Sequence, residues 1–115
     1  MNKSLQIKFL SLCVIACLSV PSGMAFAGDP AAAAQFYQQA SLAYQDGDYA
    51  EAALLLEKAY ARDQNLIYKY NEILAYQAMG KFDEALRILD AYEGPMIDDP
   101  QQRFTDIKQI HTQIS

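Results

Sequence analysis

Chemistry in this chain would have to come from very few side chains, and their spacing limits what they could do. Beyond Ala27 there is one histidine, His111, and there are two serines, Ser41 and Ser115. A catalytic nucleophile needs a base beside it and a third group to orient that base. Ser41 and His111 fall on different predicted helices, and nothing in their neighbourhoods recommends such a set. A transition-metal site would have to be built from carboxylates alone, because no second histidine and no cysteine follows Ala27. Asp98-Asp99 invites thoughts of calcium, but the ligand spacing of a calcium loop is absent. Capping of helix N-termini accounts for Asp98-Asp99 and for Asp46-Gly47-Asp48 alike. The residues therefore lead us to expect no enzyme, no cofactor and no metal.

The 115 residues carry a formal charge of -5 and have a pI near 4.6. An acidic chain without a basic patch argues against nucleic acid and against anionic membrane surfaces as partners. Eight tyrosines and five phenylalanines, with no tryptophan, are what a packed helical core or a groove that grips another protein would use.

The segment 1–27 has the pattern of an export signal. Lys3 and Lys8 give a basic start, and residues 9–20 form an apolar run too short to span a bilayer comfortably. Pro21-Ser22-Gly23 breaks that run, and Ala25-Phe26-Ala27 supplies a small-x-small cleavage site. Cleavage after Ala27 is expected, leaving residues 28–115 as one helical domain in the periplasm. The alternative is a lipoprotein: Val14-Ile15-Ala16-Cys17 is similar to a lipobox, and lipidation at Cys17 would tether the chain to the membrane. Residues 28–115 contain no cysteine, so their stability must come from packing rather than disulfides. They hold seven basic and fourteen acidic side chains, a formal charge of -7.

The elements that position these residues are written twice. Gly47-Asp48-Tyr49-Ala50-Glu51-Ala52 returns as Gly80-Lys81-Phe82-Asp83-Glu84-Ala85. A repeat with the period that separates Gly47 from Gly80 is the mark of stacked helix pairs. The spacing predicts five helices and no strand. Asp29-Pro30 opens the first, with Phe36, Tyr37, Ala40, Ala43 and Tyr44 at helical steps, and Gly47 ends it. Asp48 and Glu51 form a capping-box pair for the second, which runs to about Arg62. The third carries Tyr70, Ile73, Leu74 and Tyr76 and stops at Gly80. The fourth starts near Phe82 and is expected to end at Glu93-Gly94-Pro95. The fifth is expected from Pro100 to about Ile114, with Phe104, Ile107, Ile110 and Ile114 as its apolar stripe.

The paired motifs, with Ala59 and Tyr76, resemble the tetratricopeptide repeat (TPR) family from about Ala33 to Tyr92. The resemblance implies an all-α fold: two helix-turn-helix pairs and a C-terminal capping helix in a short right-handed α-solenoid. Small residues of the family sit where helices cross, matching Ala40, Ala52, Ala59 and Ala85. Large ones fill the space between, matching Phe36, Tyr49, Leu56, Tyr76, Phe82 and Leu89. The spacing from Gly47 to Gly80 is one short of the family's, and Gln64 stands where the family favours proline, so the link there should be shortened. Lys69, Ile73 and Tyr92 replace Phe36, Ala40 and Ala59 in the second pair, which should pack less ideally.

The resemblance also implies a concave groove lined by the first helix of each pair. Its residues would be Tyr37, Ser41 and Tyr44 from the first pair, and Tyr70, Asn71, Leu74 and Gln77 from the second. Tyr37, Tyr44 and Tyr70 would then be partly exposed, and Asn71 would bond a ligand backbone. Lys69 and Lys108 are the candidate cations near that groove, too few to clamp an acidic peptide terminus. The implied function is a non-enzymatic adaptor that holds a peptide or helix of another envelope protein. Self-assembly is the alternative, because two pairs and a fraction fall short of the three repeats that solenoids usually need.

Overall fold

The computed structural model describes residues 28–115, an all-α arrangement of five helices with no strand among the described residues. They are α1 (Pro30–Gln45), α2 (Tyr49–Arg62), α3 (Leu66–Ala78), α4 (Phe82–Ile97) and α5 (Ile107–Ile114). The export signal, its cleavage site at Ala27 and the alternative lipidation at Cys17 lie outside the described residues.

Local chemistry explains where most of the helices start. Asp29 Oδ1 accepts from the Ala32 amide at 3.1 Å ahead of Pro30, whose missing N–H costs nothing in a first turn. Asp48 Oδ1 accepts from the Glu51 amide at 3.3 Å, and Asn65 Oδ1 from the Ile67 amide at 3.0 Å. Lys81 stands at the equivalent place before α4, and no side-chain cap bond forms there.

The internal repeat is visible in the backbone itself. The Asp48 amide donates to Ala43 O at 2.8 Å, and in the second copy the Lys81 amide donates to Tyr76 O at 2.9 Å. Asp48 and Lys81 share nearly the same φ and ψ, -89/72 and -90/71. Directly before them sit Gly47 and Gly80, at φ +82 and +73, a left-handed conformation that a side chain would strain. The two turns are therefore one device used twice.

Two boundaries differ from the sequence reading. α4 does not end at Glu93-Gly94-Pro95 but runs through them to Ile97. A proline this near the C-terminus forfeits one ladder bond, and burial of Met96, 1% exposed, holds the last turn in place. Pro100 does not open α5, which starts at Ile107. Asp99 instead accepts from the Arg103 amide at 2.8 Å and pairs with the Arg103 guanidinium at 3.1 Å. Gln102 takes a left-handed φ of 51, so residues 100–106 form turns. Arg103 also reaches Asn65 Oδ1 at 3.4 Å, tying this connection to the start of α3.

Each helix packs chiefly on the one before it and the one after it. Ala40, Ala52, Ala59 and Ala85 are buried, as close helix crossings require, and Leu56 and Leu89 fill the space around them. Phe104, Ile107, Ile110 and Ile114 join the same core from the C-terminal end. Phe82 departs from its expected filling role: it is 44% exposed, whereas its counterpart Tyr49 packs edge-on against Tyr44, whose place in the second copy is taken by Gln77. α3 is about one turn shorter than α1, 13 residues against 16, because residues 63–65 stay outside the helix where α1 has its first turn. Asp63 and Asn65 are extended, and the Asn65 amide closes a tight turn on Asp63 O at 2.7 Å. Lys69, in the place of Phe36, is not loose. Its ammonium lies 4.8 Å from the Tyr60 ring centre and 5.4 Å from that of Tyr92, and pairs with Glu72 at 3.1 Å.

Candidate functional site

Helical spacing places Tyr70, Leu74 and Gln77 on one face of α3, and Tyr44 comes beside them from the last turn of α1. α5 forms the opposite wall with Gln109, Ile110 and Gln113, and Asp106 stands at its N-cap. Between the walls is an open cleft of about 440 Å³ that Ala78 also lines. Four of the seven residues expected in a groove thus line one concavity.

The remaining three are buried and do not line it. Tyr37 is fully buried, against the expectation of partial exposure, and its ring meets that of Tyr68 edge-on at 5.0 Å. Asn71 is 3% exposed, and its amide donates to the Tyr37 hydroxyl at 3.0 Å and to Ile67 O at 2.8 Å. It cannot reach a ligand backbone. Ser41 is buried too, accepting from Gln45 Nε2 at 3.2 Å. A helix face wide enough to line a groove also has an edge that enters the core, and these three occupy that edge.

Tyr44 and Tyr70 are half-buried, as expected for a lining. The Tyr70 hydroxyl donates to both oxygens of Asp106, at 2.8 and 3.1 Å. Burial, reinforced by that carboxylate, pushes the Tyr70 phenol well above its usual range, so it stays a donor. Tyr44 is raised by burial and by the neighbouring Tyr49, whose ring lies edge-on at 4.9 Å. The α5 wall was missed in the sequence. Its signal was legible in principle: Asp106, Gln109 and Gln113 recur at steps of three and four beside the apolar stripe.

Neither expected cation lines this cleft. Lys69 is held between Tyr60 and Tyr92, and Lys108 faces a shallower hollow between α4 and α5. That hollow, about 480 Å³, brings Glu93, His111 and Ser115 onto one rim. His111 Nδ1 is 2.9 Å from Glu93 Oε1, but the Ser115 hydroxyl donates to Thr112 O at 3.4 Å. A base and its orienting carboxylate are present without a nucleophile bonded to them. No group of three histidines, cysteines or carboxylates placed to hold a metal occurs among the described residues. Comparison of the chain with protein-family models, curated proteins and solved structures finds no match to any of them.

Proposed function

We propose that this chain is a non-enzymatic adaptor, a TPR-like helix-pair scaffold exported to the periplasm, that binds a peptide or helix of another envelope protein. The observation that carries this reading is the cleft across α1, α3 and α5, where two half-buried tyrosines, Leu74 and Ile110 alternate with glutamine amides. Amphipathic aromatics beside amides that can both donate and accept suit a peptide, which brings side chains and a backbone together. Selection of a random peptide display library on the immobilised protein tests it. Enriched peptides should lose binding to Leu74→Gln while that variant keeps its thermal melt. Enrichment that is indifferent to Leu74 would refute the cleft.

Self-assembly is a second reading, favoured by Leu42. It is 59% exposed, whereas Ala75, its counterpart in the second repeat, is fully buried. Light scattering after size-exclusion chromatography separates the readings. A concentration-dependent dimer that Leu42→Gln dissolves would favour assembly, and a monomer at all concentrations the adaptor.

A further inference from the structure

We infer that the cleft selects a cationic segment, with a lysine or arginine of the partner seated against Asp106 between the two tyrosines; this rests on the adaptor reading above. Asp106 is the one ionic side chain among the residues that line the cleft. The Tyr70 hydroxyl fixes its carboxylate in position without neutralising it. A carboxylate offers about four acceptor sites, so one phenol leaves room for an incoming ammonium or guanidinium.

The rest of the cleft suits the stem of such a side chain. The rings of Tyr44 and Tyr70 and the methyl groups of Leu74 and Ile110 can cover its methylenes, and a tyrosine face attracts the charged head. Cations of the chain nearest to the cleft are placed elsewhere. Arg103, the one nearest in sequence on the N-terminal side, is drawn to Asp99 and Asn65. Lys69 is bound to Glu72 between Tyr60 and Tyr92, and Lys108 lines the hollow on the other side of α5. With fourteen acidic and seven basic side chains in residues 28–115, the surrounding field attracts a basic segment and repels an acidic one.

The experiment uses the peptides recovered by the display selection, resynthesised as selected and with every lysine or arginine replaced by glutamine, and titrated against the purified protein. The selected pool should be enriched in lysine or arginine, and the glutamine versions should bind about tenfold more weakly, as loss of a partly desolvated charge pair implies. Asp106→Asn keeps an acceptor for Tyr70 and should erase that difference. Asp90→Asn, an equal change of net charge on the exposed face of α4, should leave it intact. Leu74-dependent peptides without basic residues would overturn the cationic partner while leaving the cleft standing. Equal effects of Asp106→Asn and Asp90→Asn would also overturn it, by showing general attraction to an acidic protein. Absence of any Leu74-dependent peptide would remove the cleft and this inference together. Should Asp106→Asn fail to fold, Gln109→Lys, which sets a competing cation in the cleft, should weaken the lysine or arginine peptides and spare their glutamine versions. Equal weakening by Gln35→Lys on the exposed face of α1 would overturn the inference.

Discussion

The Tyr68 hydroxyl is sealed in the core with no hydrogen-bond partner among the described residues. A buried, unpartnered polar group costs free energy, so Tyr68→Phe should raise stability by about 1 kcal/mol in urea denaturation. Burial, with the charge of Asp63 adding to it, pushes the phenol from its ordinary 10.0 up to about 12. An acid with a raised folded value keeps its proton where the unfolded chain has lost it. Stability therefore falls as pH rises through this window, by about 1.4 kcal/mol per pH unit for each such group. Thermal melts from the ordinary phenol value upward should show that decline, less steep in Tyr68→Phe. Lys69 poses the opposite case. Its partner Glu72 is 2% exposed, and burial raises that carboxyl while Lys69 draws it back down. Lys69→Met would strand the carboxylate, at a cost of about 3 kcal/mol near neutral pH. The carboxyl would then be raised further, so acidification should recover part of that loss, and urea midpoints at neutral and mildly acidic pH would show it.

At the scale of elements, the two equivalent turns differ in one side chain. Asp48 caps α2, whereas Lys81 leaves α4 without a side-chain cap on the same backbone dihedrals. Lys81→Asp should supply the missing bond and add about 1 kcal/mol in urea denaturation. Ala52→Leu should do the reverse, losing roughly 1–3 kcal/mol, since Ala52 is fully buried on α2, the helix that packs on α1. An unchanged midpoint for Ala52→Leu would place the crossing elsewhere. The helix pairs were legible because a glycine turn followed by an acid and an alanine is a local signal, and its echo at Gly80 doubled it. The end of α4 and the start of α5 were not, because contacts beyond the local pattern decide them: Met96 buried against the core, and Asp99 with Arg103 holding residues 100–106 as turns. The cleft was half legible for the same reason. The family resemblance implied Tyr70, Leu74 and Gln77 on α3, but the wall opposite depends on where α5 begins. Tyr37 and Asn71 show the limit of carrying residues over by position, which gives a face but not the depth at which it sits.

For the molecule as a whole, the outer face of the first pair is built differently from the inner one. Gln35 and Gln39 are exposed, while their counterparts in the second repeat, Tyr68 and Glu72, are buried. Polar residues at positions that a middle repeat would bury are what terminal repeats use to stay soluble. The C-terminal end is closed by Phe104, Ile107, Ile110 and Ile114 in the shared core. Deleting residues 98–115 should therefore leave helix by circular dichroism but abolish a cooperative melt, because solenoids this short lack spare interfaces. The packing of each helix on its chain neighbours has a kinetic consequence. Contacts local in sequence need no long loop to close, so folding should be fast, on the order of milliseconds or less. A chain delivered N-terminus first can shut α1 onto α2 before α5 has emerged. The cleft needs α1, α3 and α5 together, so it is the last part of the molecule to exist.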